Sequence, residues 1–181
     1  MAKNRTLISE DSLERSLECK GLLFDTNVWL RVQGYYTDSR DKRSRTYSWF
    51  YKKALEHECP IFLPSPVLSE FVGVSLNAKA RESGWTREQG KIHKCDGFNE
   101  WMCDISDDAY HVINDCSLLD DQFSKFEIDP LFVAASGGGI DFNDLLISEI
   151  CKLHGLVLVT DDADMKDQEI DIVTANAGLL E

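Results

Sequence analysis

Short, continuously apolar runs alternate along the chain with longer segments in which apolar positions recur every three or four residues. The strongest runs are GLLFD at residues 21–25 and LVLVT at residues 156–160, and weaker ones lie at residues 61–63 and 170–173. Apolar runs of this length are typical of strands buried on both faces, and helices between such strands favour a parallel sheet. The pattern therefore predicts an α/β fold, with a short central parallel sheet and helices on both faces.

Helix-end signals divide the segments between these runs. Ser65 and Pro66 suit the start of a helix, because Ser is a favoured N-cap residue and Pro is tolerated in the first turn. Gly155 suits the end of another helix, because glycine readily adopts the left-handed conformation found there. Residues 136–139, Ser-Gly-Gly-Gly, are expected to form a flexible break. Apolar periodicity then predicts a helix from Ser65 and helices over residues 9–19, 26–32, 47–57, 86–101, 106–123 and 142–154.

The length of the chain limits its domain organisation. With 181 residues and a hydrophobic fraction of 43%, it can bury the core of one domain without disulfides or structural metals. We expect residues 1–20 to form an N-terminal helical extension and residues 21–181 to form the main domain. The charged N-terminus lacks a signal-peptide stretch, no segment is apolar enough to span a membrane, and six scattered cysteines indicate reduced thiols. These features favour a cytoplasmic protein without a membrane partner.

Charge is unevenly distributed along the sequence. The formal net charge is −13, which argues against a protein that coats nucleic acid nonspecifically. Residues 40–53 nevertheless contain six basic residues and one acid, whereas residues 96–129 contain ten acids and one lysine. The folded protein should therefore have one positive region and one strongly negative region. Charge runs of either sign are most often solvated faces.

Two of the predicted strands end in acidic residues. Asp25 ends the first, and Asp161 and Asp162 follow the strand at residues 156–160. Because ligands bind beyond the carboxyl ends of the strands in open α/β sheets, these acids are expected to share one crevice. Two further acids, Glu70 and Asp144, lie in the first turns of predicted helices. The sequence therefore predicts a carboxylate cluster drawn from four distant segments.

Such a cluster needs a cation or bound protons. Two like charges about 4 Å apart repel by about 4 kcal/mol at an effective dielectric constant near 20. Ligand sets made of oxygen atoms alone favour Mg²⁺ or Mn²⁺ over zinc, and Mg²⁺ keeps positions open for phosphate and water. The cysteines and histidines do not occur at the spacings of structural zinc sites. The predicted cofactor is therefore Mg²⁺ or Mn²⁺.

Three blocks of the sequence carry a resemblance to a known family. They are FDTNVW at residues 24–29, SPVLSEF at residues 65–71, and DFNDLLISEICKLHGLVLVTDDADM at residues 141–165. In order and spacing they look like the signature blocks of PIN domains, and in particular of toxin-type, VapC-like members. The resemblance covers most of the chain, from about Gly21 to Val173. It implies a PIN-like three-layer sandwich and a metal-dependent endoribonuclease that hydrolyses RNA phosphodiester bonds.

The resemblance also implies roles for individual residues. The acids implied to be catalytic are Asp25, Glu70, Asp144 and Asp162. The acids implied to hold the metal are Asp25, Asp144, Asp162 and Asp164. The small polar residues implied to support these carboxylates are Thr26, Asn27 and Thr160. Asp161 adjoins Asp162 and leaves the register of the fourth acid open.

Partners follow from the same resemblance. Toxin-type members act on RNA, are paired with an antitoxin protein and commonly dimerise, so RNA, an antitoxin and a second copy are the expected partners. The basic residues that could contact RNA are Arg40, Lys42, Arg43 and Arg45. The aromatic residues beside them are more often core than base-stacking platforms, and they are Tyr47, Trp49, Phe50 and Tyr51.

Each candidate also has a plain structural interpretation. Asp25 and Asp141 suit helix N-caps, Asp144 suits a first helical turn, and Asp-rich loops after strands are often turns. Two functional alternatives stay open: a catalytically silent RNA- or protein-binding module with a PIN-like fold, and a stand-alone RNA-processing nuclease. A haloacid-dehalogenase-like phosphatase also uses a strand that ends in Asp, but it needs a second acid where this chain has Asn27.

Overall fold

The computed structural model describes residues 4–17, 20–36 and 41–180. Strands and helices alternate within these ranges. The strands are β1 (Arg5–Leu7), β2 (Leu22–Phe24), β3 (Ile61–Pro64), β4 (Ser117–Leu119), β5 (Val157–Val159) and β6 (Ile172–Thr174). The α-helices are α1 (Glu10–Leu17), α2 (Thr26–Val32), α3 (Lys42–Glu56), α4 (Ser65–Glu82), α5 (Phe98–Asn114), α6 (Ile128–Ser136) and α7 (Phe142–His154).

The strands form one sheet in the order β1-β6-β5-β2-β3-β4, and every neighbouring pair is parallel. The central strands β2 and β5 are fully buried, whereas the edge strand β4 is largely exposed. Helices flank the sheet, and the predicted α/β fold of three layers is confirmed. Burial of β2 and β5 on both faces explains why their sequences are continuously apolar.

The position of β2 in the sheet creates a crevice at its carboxyl end. The chain leaves β2 towards β3 on one side, whereas β5, on the other side of β2, continues outward to β6. Connections that diverge in this way leave an open crevice beyond the two strands, and α/β sheets bind ligands there. Asp25 directly follows β2 and Thr160 directly follows β5, so both lie at this crevice.

Helix α7 occupies the range that the sequence predicts. Asp141 is its N-cap and accepts a 2.9 Å hydrogen bond from the amide of Asp144, so its predicted capping role is confirmed. Gly155 ends the helix with a φ of 66°, a left-handed conformation that favours glycine. The end of α7 leads directly into β5, and this short connection fixes the helix relative to the sheet.

Two helix starts differ from the prediction. α3 begins earlier than predicted, because Asp41 caps it and accepts a 2.9 Å hydrogen bond from the Arg43 amide. α4 begins at Ser65, but its N-cap residue is Pro64, so the assignment of Ser65 as the N-cap is wrong. The hydroxyl of Ser65 is instead 2.8 Å from Asp121, to which it donates.

The region between residues 86 and 123 differs most from the prediction. The two helices expected over residues 86–101 and 106–123 are replaced by two short 3₁₀ turns, the single helix α5 and the edge strand β4. The apolar pattern also misses α6 and β1, because short edge elements bury too few side chains to give a clear period. α5 forms because one face of the helix is buried, at Trp101, Ile105, Ala109 and Val112.

The N-terminal segment belongs to the sheet as well as to a helix. α1 lies within the predicted helix of residues 9–19, of which residues 18 and 19 lie outside the described residues. The same segment supplies β1, which pairs in parallel with β6 at one edge of the sheet. The extension is therefore not only helical, and the domain boundary at residue 20 stays a prediction.

Three further features belong to the described part of the chain. None of its helices is long and apolar enough to cross a membrane. Its aromatic residues in α3 are mainly core, as predicted, since Tyr47 and Phe50 are fully buried. Four cysteines of the described residues are free thiols, namely Cys95, Cys103, Cys116 and Cys151.

Candidate active site

Asp25 lies at the carboxyl end of β2 and is only 4% exposed. Its amide donates a 2.9 Å hydrogen bond to the carbonyl of Val159, which extends the pairing of β2 with β5 by one residue. Its Oδ1 accepts a 2.7 Å hydrogen bond from the Thr26 amide, so Asp25 is also the N-cap of α2. The strand and the helix together fix the direction of this carboxylate.

The second carboxylate oxygen of Asp25 is held by two side chains. Thr160 donates from Oγ1 to Oδ2 at 2.6 Å, and Asn27 donates from Nδ2 to the same oxygen at 2.6 Å. The side-chain oxygen of Asn27 accepts a 3.0 Å hydrogen bond from the amide of Asp161. Asn27 and Thr160 thus connect the end of β2 to the loop that follows β5.

Glu70 projects from the N-terminal part of α4. Its Oε2 accepts hydrogen bonds from Thr26 Oγ1 at 3.0 Å and from Asn143 Nδ2 at 2.6 Å. Asn143 is a site residue that sequence reasoning missed. Its place directly before Asp144, in the DFND segment, is the signal that could have identified it. These two donors orient Glu70 between α2 and α7.

A single cavity of about 200 Å³ brings the predicted acids together. It is hereafter the acidic cavity, and none of the described residues that line it is basic. Its five carboxylates are Asp25, Glu70, Asp141, Asp144 and Asp162. Its other lining residues are Thr26, Asn27, Leu30, Tyr36 and Val74. Strand ends and helix starts from four distant segments therefore converge on one place.

The acidic cavity disfavours ionised carboxylates. Burial raises the pKa of Asp25 from 3.8 to about 6, and the charges of Glu70 and Asp162 also raise it, against the hydrogen bond from Thr160. Burial also raises the pKa of Asp144, to about 7, and the charges of the surrounding acids add to the effect. Raised pKa values are common where a site is built for a charged ligand.

Asp161 does not line the acidic cavity. Its side chain is 7% exposed and forms ion pairs with Arg31 at 2.6 Å and with Arg43 at 3.2 Å. The hydroxyl of Tyr47 lies 3.0 Å from its Oδ1. Because two guanidinium groups already neutralise this carboxylate, its contacts are those of a structural ion pair.

Asp162 turns in the other direction and lines the acidic cavity. Its amide donates a 3.0 Å hydrogen bond to Thr160 Oγ1. Its side chain accepts a 2.9 Å hydrogen bond from the Asp164 amide and caps the 3₁₀ turn Ala163–Asp167. Asp164 itself is exposed and is not among the residues that line the cavity.

The described basic residues that were predicted to contact RNA do not line the acidic cavity. Arg40 lies outside the described residues. Arg43 is paired with Asp161, and Lys42 and Arg45 line a separate open cavity beside Ile8. In the described part of the positive segment, Arg43 therefore lies against Asp161, whereas Lys42 and Arg45 lie at the separate cavity beside Ile8.

The acidic cavity presents the ligand chemistry of a hard divalent cation. All its charged donors are carboxylate oxygens, which Mg²⁺ and Mn²⁺ prefer. In the described part of the chain, no three His, Cys, Asp or Glu side chains are spaced closely enough to hold a metal ion as they stand. Binding of an ion by three of these carboxylates would therefore require their side chains to move.

Comparison with known proteins bears on the fold. No protein-family model matches the sequence, and no curated protein matches it significantly. The structure is similar to that of VapBC2 from Rickettsia felis bound to a DNA fragment from their promoter. That match has a TM-score of 0.54 and 16% identity, and it covers 84% of this chain and 97% of the other. PAE2754 from Pyrobaculum aerophilum matches at a TM-score of 0.49 and 17% identity, over 88% and 93% of the two chains.

At this level of identity, similarity to the Rickettsia felis structure bears on the fold and not on the activity. It covers nearly the whole of the compared chain. It supports the three-layer arrangement of one parallel sheet flanked by helices. The chain therefore has a PIN-like fold similar to that of the Rickettsia felis structure.

Proposed function

We propose that this protein is a Mg²⁺- or Mn²⁺-dependent ribonuclease that hydrolyses RNA phosphodiester bonds at the acidic cavity. The observation that carries the proposal is the convergence of Asp25, Glu70, Asp144 and Asp162 on one cavity. A cavity whose charged lining residues are all acidic would repel a phosphodiester. A bound cation would remove this repulsion, so the cavity is suited to a phosphate only when a metal is present.

Individual residues have distinct tasks in this proposal. Asp25, Asp144 and Asp162 would hold the cation, which when bound supplies charge neutralisation and activation of water. Asp164 stays a predicted additional ligand, although it is exposed and does not line the cavity. Glu70 is held by its two hydrogen-bond donors, Thr26 and Asn143. It would orient reacting groups from the side of the acidic cavity that α4 forms.

The supporting residues act by orienting carboxylates. Asn27 and Thr160 hold one oxygen of Asp25, and the Thr26 amide holds the other. A carboxylate fixed at both oxygens by donors is preorganised, so less free energy is needed to order it when an ion binds. The proposed ligand set therefore combines a rigid member, Asp25, with Asp144, whose side chain makes no hydrogen bond within the described residues.

The proposal is tested by cleavage of end-labelled RNA. Wild-type protein should cleave with Mn²⁺ or Mg²⁺ and not with EDTA, and Asp25→Ala should lose activity by at least about 100-fold, given the size of such electrostatic contributions. Asp129→Ala removes an exposed acid of α6 and is the matched control. Equal cleavage by wild type and Asp25→Ala would refute the proposal. RNA binding without cleavage in Mn²⁺ would favour the silent binding module.

Within this proposal, the protein is the toxin of a toxin–antitoxin pair. Similarity to the structure of VapBC2 supports this assignment. The expected partners are an antitoxin and a second copy of the chain, besides RNA. Expression should arrest growth, and co-expression of a small protein from the neighbouring reading frame should restore it, while light scattering would measure the mass in solution. Normal growth with active enzyme would favour a stand-alone RNA-processing nuclease.

A further inference from the structure

A second cavity, of about 720 Å³, adjoins the acidic cavity. The two cavities share Leu30, Tyr36 and Val74, which form their common wall. The second cavity differs in character, because none of the described residues that line it is acidic. It is hereafter the aromatic groove, and its aromatic and basic lining residues are Tyr35, Tyr36, Trp85, Arg81 and Arg87.

The aromatic groove is built where two packed helices end. Gly34 follows the end of α2 with a φ of 80°, and the amide of Tyr35 turns back to donate to the carbonyl of Leu30 at 2.9 Å. Gly84 follows the end of α4 in the same way, with a φ of 76°. In both cases a left-handed glycine reverses the chain, and the aromatic residue that follows is placed over the last helical turn.

The second of these turns positions Trp85. Its amide donates to the carbonyl of Ala80 at 2.9 Å, and the amide of Gly84 donates to the carbonyl of Arg81 at 3.0 Å. The Trp85 ring packs against the small hydrophobic cluster that contains Ala80. Its Nε1 is buried and has no hydrogen-bond partner among the described residues. The ring is therefore fixed at the groove by packing, with a donor left unused.

The tyrosines of the groove are also held in place. The hydroxyl of Tyr35 donates to Asp108 at 2.7 Å, and its ring meets Phe71 edge-on. Tyr36 is 43% exposed, and the guanidinium of Arg31 lies 4.4 Å from its ring centroid. Tyr36 thus presents a partly exposed ring at the wall between the groove and the acidic cavity.

Arg81 and Arg87 differ from the other arginines near the site. Arg31 and Arg43 are paired with Asp161, whereas Arg81 and Arg87 are exposed and have no carboxylate partner among the described residues. Two unpaired guanidinium groups beside the exposed ring of Tyr36 and the half-buried ring of Trp85 are suited to phosphates next to unstacked bases.

We propose that the aromatic groove binds the segment of single-stranded RNA that leads to the acidic cavity. This inference rests on the proposed ribonuclease function and extends it to the substrate. Arg81 and Arg87 contact backbone phosphates, while Tyr36 and Trp85 contact bases. Because aromatic rings stack on bases that are not paired, the groove selects single strands or loops over double-stranded RNA. The strand then passes Tyr36 and reaches the carboxylates.

The experiment measures RNA binding in a salt series. All variants carry Asp144→Asn, a substitution that prevents cleavage of the RNA. Each protein is titrated into a fluorescein-labelled, unstructured RNA oligonucleotide, and fluorescence anisotropy reports binding. The pair Arg81→Ala and Arg87→Ala should lower the slope of log Kd against log salt by about 1.4, or about 0.7 per phosphate. The pair Lys52→Ala and Lys152→Ala removes the same charge outside both cavities and should leave the slope unchanged.

A second variant tests the aromatic contact. Tyr36→Ala should weaken binding at least about fivefold, as expected for the loss of one base stack, and a double-stranded RNA of the same sequence should bind more weakly than the single strand. Thermal melts of each variant establish that it is folded. The inference would be overturned if the arginine pair and Tyr36→Ala bound RNA with the same affinity and salt slope as the lysine control pair. The inference would also be overturned if the arginine variants still bound RNA but no longer bound a protein partner.

The two proposals can fail separately. Wild-type cleavage in Mn²⁺ together with unchanged RNA binding by the arginine variants would refute the groove and leave the ribonuclease function standing. Groove-dependent RNA binding without any cleavage would refute the ribonuclease and leave the groove as an RNA-binding surface.

Discussion

The hydroxyl of Thr160 donates a 2.6 Å hydrogen bond to Asp25, although the two residues are 135 positions apart in the sequence. Each directly follows one of the two central strands, β5 and β2, so this bond spans the crevice between them. The amide of Asp162 donates to the same hydroxyl at 3.0 Å. Thr160 therefore couples two of the proposed metal ligands through one oxygen atom.

Substitution of Thr160 tests this coupling. Thr160→Val keeps the shape of the side chain but removes the donor to Asp25 and the acceptor for the Asp162 amide. We expect Mn²⁺ affinity to fall by about 10- to 100-fold, the usual cost of removing a group that orients a metal ligand. Calorimetric titration would measure it. Thr160→Ser restores the hydroxyl and should recover most of the affinity, whereas equal affinities in all three proteins would contradict the prediction.

The stability of the metal-free protein should depend on pH. The pKa values of Asp25 and Asp144 are raised to about 6 and about 7. The folded protein therefore binds more protons than the unfolded chain between about pH 4 and pH 7, so its stability rises as pH falls through this window. For Asp25 the effect amounts to roughly 3 kcal/mol. Thermal melts in EDTA should give a lower Tm at about pH 8 than at about pH 5.5, and a Tm that rises with pH would contradict this.

Metal should act in the opposite direction to protons. A cation in the acidic cavity favours the ionised carboxylates, so saturating Mn²⁺ should raise the Tm most at about pH 8 and least at about pH 5.5. The same melts repeated with Mn²⁺ would measure this. A Tm increase that is independent of pH would indicate that the ion binds elsewhere.

Asp144→Asn should stabilise the metal-free protein while it abolishes cleavage. The Asp144 carboxylate is surrounded by other acids and accepts no hydrogen bond from a described side chain, so its removal relieves repulsion without the loss of a bond. We expect a higher Tm than wild type at about pH 8 in EDTA, and a smaller increase at about pH 5.5, because the repulsion is lost as pH falls towards about 4. Asp129→Asn is the exposed control. A lower Tm for Asp144→Asn at both pH values would refute this account.

Asp161 and Asp162 should respond differently to the same substitution. Asp161→Asn weakens a buried ion pair with Arg31 and should lower the free energy of unfolding by roughly 2 kcal/mol, with Mn²⁺ affinity retained. Asp162→Asn leaves that ion pair intact and should lose Mn²⁺ binding. Urea unfolding and calorimetry on both variants would distinguish them. Loss of metal binding in Asp161→Asn alone would reverse the assignment of the fourth acid.

Local sequence determined the elements that build the sheet centre. β2 and β5 were predictable because burial on both faces leaves a continuously apolar run. α7 was predictable because burial of one helical face leaves a periodic pattern, and because Gly155 marks the helix end. The three sequence blocks also pointed to Asp25, Glu70, Asp144 and Asp162. All of this information lies within a few residues of each position.

Tertiary structure decided which neighbouring acid faces the acidic cavity. Asp161 and Asp162 are adjacent and chemically identical, but Arg31 and Arg43 reach only the first, and no local pattern encodes that contact. The bond from Asn143 to Glu70 joins residues of α7 and α4 and depends on how those helices pack. The aromatic groove likewise needs two helices to end side by side. Such contacts depend on the register of distant elements, which apolar periodicity does not specify.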